Sequence, residues 1–236
     1  MAQALDISLI RDLPPFRDMD DPALDELLTL AHPARYPKGS VVFSQDEPIH
    51  SFFLLLDGLI RVVKLTKDGE QVVPRYFSSG ELFGIGKAIG LSAYPASSIA
   101  AVDCVVLAWS NHIWDEVVSR HPTFATNTYR IVGQRLAETQ HQLVELATAR
   151  VEQRVANCIL KLANQTGKRT DEGILIDFPV SRQDISEMTG TTLHTVSRLL
   201  SAWEDAGWVQ SGRQKITLIK GHQIVLIANG AGEADR

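Results

Sequence analysis

Up to about residue 110 the apolar positions fall in short runs, at residues 40–43, 51–56, 59–65, 71–77, 97–102 and 105–109. Turn-forming residues lie between them: Pro37-Lys38-Gly39, Asp57-Gly58, Lys67-Asp68-Gly69 and Ser78-Ser79-Gly80. Many short strands so punctuated predict an antiparallel roll or barrel. One helix precedes it over 22–31, carrying Leu24, Leu27, Leu28 and Leu30. Asp57-Gly58 and Asp68-Gly69 predict hairpins, because both dipeptides tolerate positive φ.

The pattern then changes period. Ala125, Tyr129, Val132, Leu136, Thr139, Leu143 and Leu146 recur at alternating spacings of four and three. That is the a/d seam of a coiled coil, flanked by Arg130, Gln134, Arg135, Glu138, Gln140 and Glu145. Pro122 suits the first turn of this helix. The seam predicts a dimer interface; the alternative, one helix packed on its own domain, has the same periodicity. A second helix follows over 150–165, with Val151, Val155, Ile159 and Leu162 on one face, a C-cap candidate at Gly167 and a charged loop over 168–172.

The last third predicts a strand over 174–178 and then two short helices. Ser181 is an N-cap with acidic Asp184 three residues on. Gly190 supplies a tight turn, and Thr191 or Thr192 caps the second helix, whose buried face is Val196, Leu199, Leu200 and Trp203. Residues 208–210, a Gly212-Arg213 turn and residues 215–219 complete a two-stranded wing. Helix, turn, helix and wing predict a DNA reader whose second helix enters the major groove. Its outer face presents Leu193, His194, Ser197 and Arg198 to base edges, with Arg198 able to pair with guanine in bidentate fashion. Arg182, Thr192, Thr195 and Arg213 are candidates for phosphates. The plainer reading is an αα-hairpin without function, and charge does not exclude it: residues 181–220 hold five Lys/Arg and four Asp/Glu.

Composition narrows the rest. The chain has 236 residues, 44% hydrophobic and 22% charged, with a net charge of −5. It predicts an ordered α+β protein rather than a general basic coat for nucleic acid. Two cysteines, Cys104 and Cys158, cannot supply a disulfide framework, a four-thiolate zinc site or a four-cysteine iron–sulfur cluster. No metal site is predicted. The N-terminus shows no signal peptide and no apolar run is long enough for a bilayer, so the expected place is the cytoplasm, away from membranes. P-loop spacing and a GxSxG elbow are missing, and Gly84-Ile85-Gly86 lacks the third glycine of a dinucleotide fingerprint, so no enzyme is expected.

The order of elements resembles the CRP/FNR family of bacterial transcription regulators over nearly the whole chain. The carrying motifs are residues 181–186 (SRQDIS), 195–200 (TVSRLL), 80–84 (GELFG), 39–43 (GSVVF) and 53–58 (FLLLDG). The resemblance implies a β-roll sensor over 1–121, like that of cyclic-nucleotide-binding domains, a dimerisation helix over 122–148 and a winged helix-turn-helix over 149–236. It implies a homodimer on palindromic promoter DNA, with RNA polymerase as partner. Arg198 falls on the family's base-reading arginine, and His194 stands where both founders have glutamate. The HTVSR run at 194–198 and the segment 147–152 (ATARVE) resemble the NnrR branch, which implies control of denitrification genes in response to nitrogen oxides. A rival reading is a cyclic-nucleotide-binding signalling module that reads no sequence.

The resemblance places the effector pocket at Gly80, Glu81, Leu82 and Gly84. The family's cyclic-nucleotide pocket needs an arginine just beyond that turn, yet no Lys or Arg occurs between Lys87 and Arg120, which argues against cyclic AMP. No cysteine precedes Cys104, which argues against an iron–sulfur sensor. Haem stays open, with His32, His50, His112, His121 and His141 as candidate ligands and none in a haem-specific motif.

Overall fold

The computed structural model describes residues 6–212 and 214–230. It divides into two compact units: Met1–Leu65 with Arg75–Thr139, and Thr66–Pro74 with Gln140–Arg236.

The first unit begins with two 3-10 turns and helix α1 (Asp21–Thr29), capped by the Asp20 carboxylate on the Ala23 N–H at 3.0 Å. Eight strands follow: β1 (His32–Tyr36), β2 (Val41–Phe43), β3 (Ser51–Asp57), β4 (Leu59–Leu65), β5 (Gln71–Ser78), β6 (Leu82–Phe83), β7 (Ser97–Ala100) and β8 (Cys104–Ser110). They form two four-stranded sheets, ordered β1-β8-β3-β6 and β2-β7-β4-β5. The expected antiparallel roll is present.

One expected hairpin is not. The Asp68-Gly69 turn does join neighbours in one sheet, closed by Thr66 N–H on the Glu70 carbonyl at 2.9 Å. Asp57-Gly58 instead takes the chain from one sheet to the other, because β3 lies beside β8 and β6 while β4 lies beside β7 and β5. Gly58 has φ +101°, and a Cβ there would lie 2.6 Å from the Asp103 carbonyl. Glycine serves a sheet-switching corner, where the local dipeptide signal suggested a tight reversal.

Two apolar clusters fill the roll. In one, Phe16, Phe52, Trp109, Trp114 and Phe124 pack with α1, and the Trp109 indole donates to the Leu27 carbonyl at 2.8 Å. The other holds Phe43, Phe53, Phe77, Phe83 and Tyr94. A short helix α2 (Trp114–Arg120) leads into α3 (Pro122–Thr148), which opens at Pro122 as expected. Phe124 and Asn127 of α3 are buried; the Asn127 amide donates to the Arg17 carbonyl at 2.7 Å.

The second unit contains α4 (Val151–Thr166), β9 (Gly167–Thr170), β10 (Gly173–Ile176), α5 (Arg182–Thr189), α6 (Leu193–Asp205), β11 (Val209–Gly212), β12 (Lys215–Leu218) and α7 (Gly221–Ala228). The strands form one antiparallel sheet, β11-β12-β10-β9. The expected charged loop over 168–172 is largely strand, since Gly167–Thr170 pairs with Gly173–Ile176. Helix α7, which the sequence pattern did not mark, packs on α4 through a turn that buries Ile224 and Ile227. Among the described residues no helix is long and apolar enough to cross a membrane.

Candidate nucleic-acid interface and sensor cavity

Local capping sets the reading head. Ser181 Oγ accepts the Asp184 N–H at 3.1 Å, and Asp184 Oδ2 accepts the Ser181 N–H at 2.8 Å, so two orphan donors at the start of α5 are satisfied reciprocally. Gly190 ends α5 at φ +58°, a left-handed cap that turns the chain sharply. Thr192 then caps α6, its Oγ1 accepting the Thr195 N–H at 3.2 Å. Val196, Leu200 and Trp203 are buried, and Leu199 is half-buried where full burial was expected.

The opposite face of α6 points outward. Leu193, His194 and Arg198 are exposed and Ser197 is half-exposed, one turn apart on a single stripe. The structure therefore brings the expected base-facing side chains together. Of the phosphate candidates, Thr192 and Thr195 have their hydroxyl oxygens 2.9 Å apart at the entrance to α6. Arg182 does more than expected: its Nη2 donates to Ser211 Oγ on β11 at 3.2 Å. Ser211 in turn donates its hydroxyl and its N–H to the Glu204 carboxylate at 2.8 and 3.0 Å. Those two bonds hold the Glu204 carboxyl below the usual carboxylate range. Arg182 thus ties α5 to the wing and the end of α6. Arg213 lies outside the described residues.

The start of α4 is also pinned. Arg154 donates from Nε to the Thr189 carbonyl and from Nη1 to the Ala149 carbonyl, both at 3.0 Å. Cys158 is buried with its Sγ 3.8 Å from Met188 Sδ, and burial pushes its thiol up to about 12. Cys104 is also buried and donates to the Leu59 carbonyl at 3.3 Å, with burial raising its pKa. Neither setting activates a thiolate.

The expected seam of α3 divides. Tyr129, Leu136 and Leu143 are 55%, 59% and 67% exposed, and Leu146 is also exposed. Among the described residues these four form an exposed apolar stripe. Val132 is partly buried against the roll core and Ala125 is partly buried. Thr139 is exposed, its hydroxyl donating back to the Arg135 carbonyl at 2.8 Å.

The first unit contains a cavity of about 430 Å3 between the roll and α3. Phe43, Phe77, Tyr94, Ile85, Ile89 and Leu91 make most of its wall, with Gly84 at its edge and Ser98 and Arg135 among its few polar residues. Gly80, Glu81 and Leu82, expected in the same pocket, line a smaller adjoining recess of about 100 Å3 together with Arg75, Arg135 and Glu138. Glu81 accepts the Ser78 N–H at 2.7 Å and Arg75 Nη2 at 3.3 Å, and Arg135 Nη2 lies 3.7 Å away. Arg75 and Arg135 both sit over the Phe77 ring, at 4.9 and 4.8 Å from its centroid. Burial, then repulsion from Arg75, lowers Arg135 to about 10, so it remains a cation at neutral pH.

Arg135 is the site residue that the sequence pattern missed. It stands among the polar flanks of the seam, and nothing local marks it as buried. Lys87, the nearest basic residue along the roll, pairs with Asp115 at 2.8 Å and does not line the cavity. No histidine, cysteine or methionine lines the cavity, so its wall offers no imidazole, thiolate or thioether to a haem iron. His32, His50, His112 and His141 are exposed elsewhere, and His121 lies 3.4 Å from Glu26. Among the described residues no cluster of three or more His, Cys, Asp or Glu is placed to hold a metal.

The cyclic nucleotide-binding domain family matches residues 33–121, and the Crp-like helix-turn-helix domain family matches residues 153–223. The chain is 24% identical to "Electron transport regulator A" of Shewanella oneidensis, over 88% of this chain and 82% of that protein. It is 27% identical to the "Cyclic AMP receptor protein" of Thermus thermophilus, over 84% and 89%. Among solved structures it is similar to FixK2 from Bradyrhizobium japonicum, with a TM-score of 0.74 and 22% identity, covering 84% of this chain and 96% of that one.

Proposed function

We propose that this chain, which belongs to the CRP/FNR family of DNA-binding transcription regulators, acts as a homodimer on a palindromic promoter site. The observation that carries the reading is the outward stripe Leu193, His194, Ser197 and Arg198 on α6, opposite the buried Val196, Leu200 and Trp203. An exposed face of that composition, on a helix held by caps and a wing, suits the edges of bases in a major groove. Dimerisation is supported by the exposed stripe Tyr129, Leu136, Leu143 and Leu146 on α3. Pairing two copies along it would bury apolar surface and present two recognition helices about one turn of DNA apart.

Arg198 reads a guanine, and His194 and Ser197 read its neighbours. Thr192, Thr195, Arg182 and Arg213 contact or approach phosphates, Arg182 while also holding the wing. The output is a change in promoter use by RNA polymerase. Control of denitrification or other anaerobic genes rests on the 194–198 run and the 147–152 segment alone. The rival reading, a nucleotide-binding module without sequence reading, leaves the composition of the α6 stripe without a purpose.

The test is selection of the full chain, under anaerobic conditions, against a pool of random duplexes. Enrichment of an inverted repeat supports the reading. A folded dimer that enriches nothing, alone or with small effectors, overturns it.

A further inference from the structure

We infer that Glu204 is a positioning residue for DNA binding: through the Ser211 hydroxyl it holds the Arg182 guanidinium ready for a backbone phosphate. The inference rests on the regulator reading and deepens it by naming a residue that acts on the DNA through another. Three observations carry it.

The first is the direction of the hydrogen bonds. A serine hydroxyl has one proton to give. That of Ser211 goes to Glu204 Oε2 at 2.8 Å, while the Ser211 N–H goes to Glu204 Oε1 at 3.0 Å. The Ser211 oxygen is left as an acceptor, and it takes Arg182 Nη2 at 3.2 Å. An ionised carboxylate only accepts, so Glu204 sets the polarity of the whole relay. A glutamine would upset it. Its amide nitrogen donates, and would either face a Ser211 donor or claim the oxygen that Arg182 now uses.

The second is what remains free on Arg182. A guanidinium carries five donors in a rigid fork, and Ser211 occupies one of them. Nε and Nη1 make no hydrogen bond among the described residues, and the side chain is only half-buried. The fork is held at one arm and open at the other, where a phosphate can take two parallel N–H groups. A long side chain ordered beforehand also spares the complex that part of the entropy cost of binding.

The third is the place of the acid. Glu204 lies six residues beyond Arg198 on α6, about 9 Å further along the axis and on another side of the helix. A carboxylate that met the DNA backbone directly would oppose binding. Glu204 is turned to β11 instead, and the Ser211 hydroxyl stands between it and Arg182. No direct ion pair joins the acid and the arginine among the described residues, so the open arm of Arg182 is not taken by Glu204.

The test is fluorescence anisotropy of the full chain on the inverted repeat recovered by random-duplex selection, over a series of salt concentrations. Arg182→Gln, Glu204→Gln and Ser211→Ala are each expected to weaken binding about three- to ten-fold, the worth of one pre-ordered long side chain. Arg182→Gln is expected to lower the salt slope by about one, as the loss of one phosphate contact requires. Ser211→Thr, which keeps the hydroxyl, is expected to recover what Ser211→Ala loses. The deciding measurement is the double variant Arg182→Gln with Glu204→Gln, expected to bind as Arg182→Gln alone, because the acid then has nothing left to position. A merely structural Glu204 would instead weaken binding by the same factor in both backgrounds, and that additive result overturns the inference. So does tighter binding by Glu204→Gln, or parent-like binding and salt slope in Arg182→Gln while Arg198→Ala loses affinity; either leaves the regulator reading in place. A parent chain that enriches no duplex overturns that reading and the inference with it.

Discussion

Arg182 on α5 and Ser211 on β11 are joined by a 3.2 Å hydrogen bond, and Ser211 is itself held by both oxygens of Glu204 on α6. Helices α5 and α6 and the wing therefore meet at one small polar junction. Because Glu204 is held below its ordinary value, its contribution is fully present at neutral pH. It is lost as pH falls through its folded value, below the ordinary glutamate value of about 4.3. Glu204→Gln is expected to be slightly less stable than the parent at pH 7 and to approach it as pH falls below the ordinary glutamate value of about 4.3, which flattens the acid limb of the stability profile. The effect is small because the carboxylate is near the surface and screened. Urea unfolding of parent and variant across that range checks it; parallel profiles would remove Glu204 from the account.

Gly58 is expected to tolerate no side chain. Its φ of +101° is strained for any other residue, and an added Cβ would meet the Asp103 carbonyl at 2.6 Å and Cys104 Sγ at 2.7 Å. Both groups belong to the segment entering β8. Gly58→Ala should therefore cost about 2–4 kcal/mol of roll stability, the range for a strained backbone plus overpacking. Gly69→Ala is the control: it has a similar φ of +82° but nothing within 4 Å, so only the conformational part is lost. A denaturant midpoint that moves equally in both variants would contradict the packing argument.

These two glycines also show what the sequence could and could not tell. Each follows an aspartate, and the dipeptide signal is the same. Only the strand each half joins, a matter of non-local pairing, makes one a hairpin and the other a corner. The reading head was legible because its determinants are local: the Ser181 and Thr192 caps, Gly190 and the apolar spacing of α6 all lie within a few residues of what they fix. Arg135 was not legible, since its burial depends on β-roll residues far away in sequence, among them Phe77 and Glu81. Helix α7 was hidden for a different reason. Its run Ile224-Val225-Leu226-Ile227 is apolar on every side, and such a run does not distinguish helix from strand by period.

Leu143 is the most exposed residue of the α3 stripe, at 67%. If two copies pair along it, a carboxylate there is buried without a partner at the interface. Leu143→Asp is then expected to shift the chain to monomer in sedimentation velocity and to weaken binding to a two-half-site duplex at least ten-fold, about 1.4 kcal/mol. Helix content by circular dichroism should stay near the parent value, since Leu143 makes no part of either core. A variant that remains dimeric would place the interface elsewhere.

The last expectation concerns the letters read. Arg198 and His194 lie on the same exposed stripe but have different donor sets. An arginine offers two parallel donors to guanine O6 and N7, so Arg198→Ala should cost about 1–3 kcal/mol on the selected site and little on random duplex. A neutral histidine offers one donor and one acceptor, whereas a carboxylate only accepts. His194→Glu should therefore keep affinity for duplex DNA but move preference at one position of each half-site towards cytosine, whose N4 amino group donates in the major groove. Repeating the random-duplex selection with each variant separates the two effects. Loss of preference at a single position for Arg198→Ala, and a changed letter at a neighbouring position for His194→Glu, would assign both residues to base edges. Uniform weakening across all sequences, with a shallower salt dependence, would instead make Arg198 a phosphate contact.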